Sequence, residues 1–295
     1  MSLKKILNSR EALTHAKLKE TCERYGAAVY PKVRLADILP IENSGIENDL
    51  YRYALQAHFD FVVTNVSHDP LFAVEYDGPV HETDKQITRD NKKHKICKIF
   101  DFPLLRINAR YLDRNYRGFD LLSWFVEVWF TREIFFNAYK AGIIPEDEMF
   151  DPSLIFELPG RKGTFPLWLS KDALNQIRKF AEAERIKYPF PTGEWIGTDN
   201  IGNFHGIIWL WIDEEKGVSA HTAMRAQNFP VVESDILREI LVLLLYDVLS
   251  HVLTGKVQAT PIGRIVNEIE AFTKKYEVRI SVLTHVPSKA GPKAT

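Results

Sequence analysis

The sequence predicts an α/β protein in which a small mixed β-sheet, flanked by helices, is followed by a second domain of α+β type. The first observation is that the first half of the chain contains both strand-like and helical stretches. In the strand-like stretches, apolar residues recur at every second position. The second is a segment rich in proline, glycine and acidic residues at 144–166, which separates the halves. The third is a second half in which helices and strands follow one another less regularly. With 45% hydrophobic and 26% charged residues, the 295-residue chain has the composition of a globular protein with a sizeable core.

The first half is predicted to run helix, strand, strand, strand, helix, strand. Residues 10–25 have high helix propensity, and the alternation of apolar and polar residues at 27–35 is typical of a half-buried strand. Residues 40–50 are polar and rich in turn formers, which favours a loop. Two strands then flank a Ser-His-Asp-Pro turn, a charged helix follows, and Pro103 opens the last strand. These four elements lie at 58–66, 71–78, 82–100 and 103–112.

The domain boundaries follow from one long helix and one linker. The stretch 117–141 is aromatic on nearly every side and is predicted to be a helix buried between this domain and the next, so the first domain comprises residues 1–143. Residues 144–166 form the linker, and residues 167–287 form the second domain. A disordered tail is predicted at 288–295.

The second domain shows no catalytic motif. Its histidines are scattered without ligand spacing, and its tryptophans are expected in the core. A glycine-containing stretch at 192–206 lacks the strand-then-helix context of a phosphate-binding loop, and a bend is predicted there. The predicted elements are helices at 170–187, 233–254 and 261–275 and strands at 204–213, 217–224 and 277–285.

Composition argues against several classes of protein. The 38 basic and 39 acidic residues give a net charge of -1, which argues against a protein that coats nucleic acid by bulk electrostatics. Cys22 and Cys97 are far apart, so we expect neither a disulfide framework nor a cysteine zinc site, and a reducing, cytoplasmic location is the simplest. Charged residues interrupt the most apolar stretches, 121–136 and 240–249, so we expect no membrane span and no membrane partner.

Four residues around the second and third strands form the centre of the predicted catalytic site, and Lys93 on the following helix is the fifth predicted catalytic residue. Asp60 lies within one strand, and Glu75 and Asp77 lie on one face of the next, because alternate side chains of a strand point the same way. Pairing of these strands through the turn would place Asp60 beside Glu75, and His81 follows near the same sheet edge. Three carboxylates predict a Mg²⁺ or Mn²⁺ site, and His81 is a candidate general acid or base.

The charged helix that follows carries a ridge of basic side chains. Six lysines and arginines lie within it at helical spacing, opposed by Asp90, and Arg106 follows on the last strand. Such a ridge can engage the phosphates of a nucleic acid, and next to metal-binding acids it fits a phosphodiesterase. The predicted nucleic-acid-binding residues are Lys85, Arg89, Lys92, Lys93, Lys95 and Arg106.

These motifs together resemble those of a known superfamily. The run FDFVV at 59–63, AVEYDGxxH at 73–81, DxxK at 90–93 and PLLRI at 103–107 is similar to the PD-(D/E)XK nucleases. Within that superfamily it resembles most the branch that includes very short patch repair endonucleases and related uncharacterised domains. The resemblance covers about residues 10–112 and carries no information on the second domain. Each piece alone is weak, but their order and spacing together are hard to obtain by chance.

The resemblance implies a restriction-endonuclease-like fold and metal-dependent hydrolysis of phosphodiester bonds in DNA, with RNA as the alternative substrate. By analogy, Asp60 and Glu75 are metal ligands, helped by the backbone carbonyl of Tyr76. Glu11 or Glu20, on the first helix, supplies the additional acid that such folds often carry, and the sequence does not choose between them. The cofactor implied is Mg²⁺ or Mn²⁺.

One position departs from the wider superfamily. Its lysine, two residues after the glutamate, is replaced by Asp77, which cannot stabilise a developing negative charge as an ammonium can. Three compensations stay open: His81 takes over proton transfer, a ridge lysine (Lys92 or Lys93) reaches the site, or Asp77 helps to hold a second metal.

A different class of function is the main alternative. The replacement at Asp77 is also compatible with a catalytically inactive fold that binds nucleic acid or protein within a repair or defence assembly. Protein partners or a homo-oligomer would then involve the second domain. The single residues have structural explanations as well, because Asp60 could pair with Arg106 and the lysines could form a solvated helix face.

Overall fold

The structure, a computed structural model, describes residues 4–78, 84–113, 119–158 and 167–285. Within these residues the chain forms two β-sheets with helices packed on them, which confirms the predicted α/β class. The chain divides into two compact units. The first unit comprises Met1–Pro152 and Gln227–Val231. The second comprises Ser153–Ala226 and Val232–Thr295.

The described part of the first unit contains six helices and four strands. Its first helix begins at a capping box, in which the side chains of Asn8 and Glu11 each accept a hydrogen bond from the other residue's backbone N–H. The polar segment predicted as a loop at 40–50 runs into a short helix that the sequence did not indicate. The elements are α1 (Ser9–Glu23), β1 (Ala28–Arg34), α2 (Leu35–Ile38), α3 (Asn48–Ala54), β2 (His58–Thr64), β3 (Pro70–Tyr76), α4 (Asp84–Ile99), β4 (Leu104–Ile107), α5 (Ala109–Asp113) and α6 (Leu121–Lys140).

The four strands form the mixed sheet that the sequence predicts, in the order β1-β2-β3-β4. Neighbouring strands are antiparallel except β3 and β4, which are parallel and are connected through helix α4. Phe61 pairs with Val74 across the antiparallel strands β2 and β3. Asp60, one residue before Phe61, therefore lies opposite Glu75, one residue after Val74. The hairpin therefore brings together the two carboxylates that the sequence placed on separate strands.

Helix α6 supplies much of the aromatic core of the first unit. Its first eleven residues include ten that are buried, and the side chain of Asp120 caps its N-terminus by accepting a hydrogen bond from the Ser123 backbone N–H. Glu127 is fully buried within this helix and accepts hydrogen bonds from the side chains of Arg24 and Tyr25. A buried carboxylate without such partners would be costly, so these contacts fix α1 against α6.

Residues 227–231 belong to the first unit in the structure. The predicted domain division placed them in the second domain. Asn228 forms an antiparallel bridge with Leu104 on β4, whose backbone N–H donates to the Asn228 carbonyl at 2.6 Å. The ring of Phe229 packs against Phe72 and Trp129. The physical reason is twofold: the open edge of β4 needs hydrogen-bond partners, and the aromatic core needs a ring to complete it.

The second unit contains a five-stranded antiparallel sheet in the order β8-β7-β6-β5-β9. Helix α8 packs against β6 and β7, and helix α9 covers the core that contains Trp209 and Trp211. Both of these tryptophans are buried, in agreement with their prediction as core residues. The elements are α7 (Lys171–Glu182), β5 (Gly193–Thr198), β6 (Phe204–Trp211), β7 (Lys216–Met224), α8 (Glu233–Leu253), β8 (Thr260–Pro261), α9 (Ile262–Lys275) and β9 (Glu277–Leu283).

Strand β5 corrects the prediction of a bend at 192–206. The glycine at its start is required by packing, because a Cβ at Gly193 would lie only 2.0 Å from the Trp209 ring of the neighbouring strand. Glycines that make room for a cross-strand tryptophan look like turn signals in a single sequence. In the described residues, no helix of either unit combines the length and the apolar character needed to cross a membrane.

Candidate functional site

Asp60 and Glu75 form the centre of the candidate site. The backbone N–H of Asp60 donates to Oε1 of Glu75 at 3.1 Å, and the backbone N–H of Tyr76 donates to Oδ2 of Asp60 at 2.9 Å. Each carboxylate is thus held by the opposite strand of the β2–β3 hairpin. Two carboxylates fixed side by side in this way repel each other unless cations or protons neutralise them.

Lys93, on helix α4, neutralises Glu75. Its Nζ lies 2.7 Å from Oε2 of Glu75 and also donates to the backbone carbonyl of His58 at 2.8 Å. The exposed fractions of Lys93 and Glu75 are 7% and 6%, so this ion pair is almost completely buried. Burial raises the pKa of Glu75 to about 7, although the charge of Lys93 acts in the opposite direction. Of the ridge lysines left open by the sequence, Lys93 is the one that reaches the site.

Lys32 neutralises Asp60 from the other side. Pro31 pairs with Phe61 in the β1–β2 ladder, so Lys32 lies opposite Asp60. The Nζ of Lys32 is 2.7 Å from Oδ1 of Asp60 and 2.9 Å from Oε1 of Glu11. Partial burial favours the neutral amine, but the hydrogen bonds to Asp60 and Glu11 outweigh it and raise the pKa of Lys32.

This contact also distinguishes the two acids that the sequence left open on α1. Glu11 joins the site through Lys32, whereas Glu20 lies 3.7 Å from Arg24 in a pair along the helix. The sequence analysis did not connect Lys32 with Asp60. The contact depends on the register of β1 against β2, and more than twenty residues separate these strands in the chain.

Asp77 does not join the other two carboxylates. It accepts two hydrogen bonds from the guanidinium of Arg106, at 2.6 Å and 3.1 Å, and Arg106 also lies 3.0 Å from Asp90. Arg106 therefore pairs with Asp77 and Asp90, and the alternative in which it pairs with Asp60 is not what the structure shows. His81 lies outside the described residues.

The DxxK motif on α4 has a clear structural role. Asp90 and Lys93 are three residues apart, so they lie on the same face of the helix. Asp90 contacts Arg106 on β4, and Lys93 contacts Glu75 on β3. Glu75 and Arg106 are themselves register partners on these two parallel strands. The motif thus fixes α4 onto the end of the sheet where the carboxylates lie.

The basic ridge is less available than its sequence suggests. Lys92 lies 2.7 Å from Asp49, and Lys95 lies 2.8 Å from Glu47, so acids at the start of α3 neutralise two of its lysines. Lys93 and Arg106 are buried in the ion pairs described above. Arg89 is exposed, and for Lys85 the structure describes only the backbone within α4.

Asp60 and Glu75 bring carboxylate oxygens, the donor type that Mg²⁺ and Mn²⁺ prefer, to neighbouring positions. Mg²⁺ in proteins is often bound through one or two carboxylates, with water and substrate phosphates completing the shell. Among the described residues, no group of three or more His, Cys, Asp or Glu side chains is arranged to hold a metal ion. The structure thus places Asp60 next to Glu75 and places Asp77 in a separate ion pair with Arg106.

Comparison with known proteins gives one match. A family model described as "Protein of unknown function (DUF2726)" matches residues 3–117. No curated protein and no solved structure matches the chain. Fold and site define a chain whose first unit carries a lysine-neutralised carboxylate pair on a mixed sheet. The matched range contains the whole of that site, whereas residues 227–231 and the second unit lie outside it.

Proposed function

We propose that the chain is a metal-dependent nuclease that hydrolyses phosphodiester bonds in DNA. The observation that carries the proposal is the direct pairing of Asp60 with Glu75 across two neighbouring strands, with the Lys93 ammonium buried against Glu75. Acids on adjacent strands with a nearby lysine match what the resemblance to the PD-(D/E)XK nucleases implies. The cofactor is Mg²⁺ or Mn²⁺, and the location is cytoplasmic.

The residues of the site have distinct roles in this proposal. Asp60 and Glu75 would hold the divalent cation, which would supply positive charge to polarise a phosphoryl group and activate water. Lys93 supplies the positive charge that the wider superfamily carries two residues after the glutamate, where this chain has Asp77. Its hydrogen bond to the His58 carbonyl fixes that ammonium in place before substrate binds. Asp77 keeps Arg106 and α4 in position.

The experiment is a cleavage assay with the full chain. Supercoiled plasmid, linear DNA and an RNA of the same sequence are incubated with Mg²⁺ or Mn²⁺, using wild type, Asp60→Asn and Glu75→Gln. Asp49→Asn is the matched control, because Asp49 is an exposed carboxylate that also pairs with a lysine of α4. We expect DNA cleavage by wild type and the control and loss of cleavage in both site variants. Equal cleavage by the site variants would show that a contaminating or different activity is responsible.

A second candidate function is binding without cleavage, as a component of a repair or defence assembly. It is favoured by the observation that Asp77 stands where the catalytic lysine is usual and that lysines already neutralise Asp60 and Glu75. This function predicts DNA or protein binding with no Mn²⁺ binding. Titration calorimetry with Mn²⁺, together with a DNA-binding assay over a range of salt concentrations, separates the two functions.

A further inference from the structure

Lys32 has an unusual backbone for a residue in the middle of a strand. Its φ is 55°, in the left-handed region that residues other than glycine rarely adopt. The register of β1 against β2 is the same on both sides of Lys32, where Pro31 pairs with Phe61 and Val33 pairs with Phe59. The unusual backbone is therefore confined to one residue, and no extra residue is inserted into the strand. Such local strain persists only where surrounding contacts stabilise it, and it is frequent at functional sites. Here the contacts are the ion pairs to Asp60 and Glu11.

The two lysines of the site differ in how firmly they are held. Lys93 is 7% exposed, donates to the His58 carbonyl as well as to Glu75, and lies over the ring of Phe59. The side chain of Lys32 is 33% exposed, and its described hydrogen bonds are to two carboxylates. An ammonium bound only through its charge, on a partly solvated side chain, can be exchanged for another cation. Exchange of an ammonium that also binds a backbone carbonyl in the core would break that hydrogen bond as well.

We propose that Lys32 is a built-in counter-ion, which neutralises Asp60 in the metal-free protein and is displaced from it when a divalent cation binds. This inference rests on the proposed function, because it takes Asp60 as a ligand of the cation. It adds a role for a residue of β1 that neither the motif nor the resemblance assigns. Glu11 keeps the displaced ammonium near the site, since its carboxylate already binds Lys32 and is fixed by the capping box of α1.

The balance of charges at the site explains why a displaceable ammonium at Lys32 would stabilise the metal-free protein. Asp60, Glu75 and Glu11 bring three carboxylates to the site, and Lys93 neutralises only Glu75. Without Lys32, the metal-free protein would hold Asp60 next to Glu75 with no ion-pair partner of its own in the described site. Lys32 therefore stabilises the metal-free state, and it would compete with the cation for the Asp60 carboxylate.

The competition is tested by measuring Mn²⁺ affinity and metal-induced stabilisation in the full chain. Lys32→Met removes the charge and keeps most of the aliphatic stem. We expect it to lower the midpoint of thermal unfolding in EDTA, to recover that loss on addition of Mn²⁺, and to bind Mn²⁺ about tenfold more tightly by calorimetry. A tenfold change in affinity corresponds to about 1.4 kcal/mol.

Two further variants make the result specific. Lys17→Met is the matched control, because Lys17 forms a partly buried pair of the same length, 2.7 Å, with Asp120. It should lower the unfolding midpoint equally with and without Mn²⁺ and leave Mn²⁺ affinity unchanged. Lys32→Arg should bind Mn²⁺ more weakly than wild type, because a guanidinium holds a carboxylate through two hydrogen bonds. Lys32→Arg also tests the counter-ion role if Lys32→Met does not fold.

The outcomes separate this inference from the proposed function. If wild type binds Mn²⁺ through Asp60, as shown by loss of binding in Asp60→Asn, but Lys32→Met binds no more tightly or Lys32→Arg no more weakly, only the counter-ion role is overturned. If neither wild type nor Lys32→Met binds Mn²⁺, both the counter-ion role and the metal-dependent function are overturned. Binding of Mn²⁺ by Lys32→Met but not by wild type would support the counter-ion role directly.

Discussion

Lys93 and Glu75 form an ion pair of 2.7 Å in which both side chains are almost completely buried, at the end of the sheet where β2 and β3 carry the two candidate ligands. The pair connects helix α4 to strand β3 and leaves the Glu75 carboxylate beside the backbone N–H of Asp60. A buried charge needs its partner, so this relationship makes the site sensitive to the loss of either residue.

Replacing Lys93 should be far more costly than replacing its neighbour in the chain. Lys93→Met leaves the Glu75 carboxylate buried without a cation, and we expect the free energy of unfolding at pH 8 to fall by about 3–5 kcal/mol. Lys92→Met removes an ion pair to Asp49, which is largely exposed, and should cost less than about 1 kcal/mol. Urea denaturation in EDTA measures both values. Similar costs for the two variants would contradict the buried pair.

The pKa of Glu75 predicts how stability depends on pH in the metal-free protein. Burial raises this pKa from 4.5 to about 7, so the folded protein binds the proton more tightly than the unfolded chain. The stabilisation from protonation is complete below about pH 4.5, and it is lost as pH rises towards 7. Glu75→Gln cannot titrate. The stability of wild type relative to this variant should therefore fall by a few kcal/mol between pH 4.5 and pH 8.

The measurement is urea denaturation of both proteins in EDTA across that range. Glu23→Gln is the control, because Glu23 is exposed and pairs only loosely with Lys19, at 3.6 Å. A constant stability difference between wild type and Glu75→Gln would show that the pKa of Glu75 is not shifted by folding, and a difference that grows in favour of wild type as pH rises would show a lowered pKa. Either result would contradict the raised pKa.

The segment 227–231 should be essential to the first unit. Phe229→Ala removes a ring that packs against Phe72 and Trp129, and we expect it to lower the free energy of unfolding by about 3–5 kcal/mol. Phe190→Ala is the matched control, since Phe190 is 50% exposed and its replacement should cost less than about 1 kcal/mol.

Amide hydrogen exchange tests whether residues 227–231 protect the backbone of β4. The side chain of Gln227 accepts a hydrogen bond from the Arg106 backbone N–H at 2.8 Å and donates to the Arg106 carbonyl at 3.0 Å. Gln227→Ala should speed exchange of the Arg106 amide, because that N–H loses its partner. Unchanged exchange there would mean that the segment does not hold the edge of β4.

The parts of the site that could be predicted are those encoded locally. Asp60 and Glu75 face each other because a short turn connects β2 and β3, so alternation and turn chemistry were enough to pair them. Asp90 and Lys93 share a helix face by spacing alone. These four residues lie in the motifs from which the sequence predicted the site.

The parts that could not be predicted depend on contacts between distant segments. Lys32 meets Asp60 only through the register of β1 against β2, and Gln227 meets Arg106 across 121 residues of chain. The identity of the Asp77 partner had the same origin, because Arg106 lies on a parallel strand reached through α4. A single sequence carries no local signal for such pairings. The prediction missed strand β5 for another reason. Gly193 leaves room for the Trp209 ring, but in the sequence a glycine at this position resembles a turn residue.

The central claim is that Asp60 and Glu75 together bind the divalent cation of a nuclease. Crystals of the full chain soaked with Mn²⁺ test it most directly, through the anomalous scattering of the metal. The account predicts one Mn²⁺ bound by carboxylate oxygens of both residues, with the Lys32 ammonium moved away from Asp60. The same peak should be absent from Asp60→Asn crystals. A Mn²⁺ ion bound elsewhere, or no anomalous peak at this pair at a concentration that supports DNA cleavage, would contradict it.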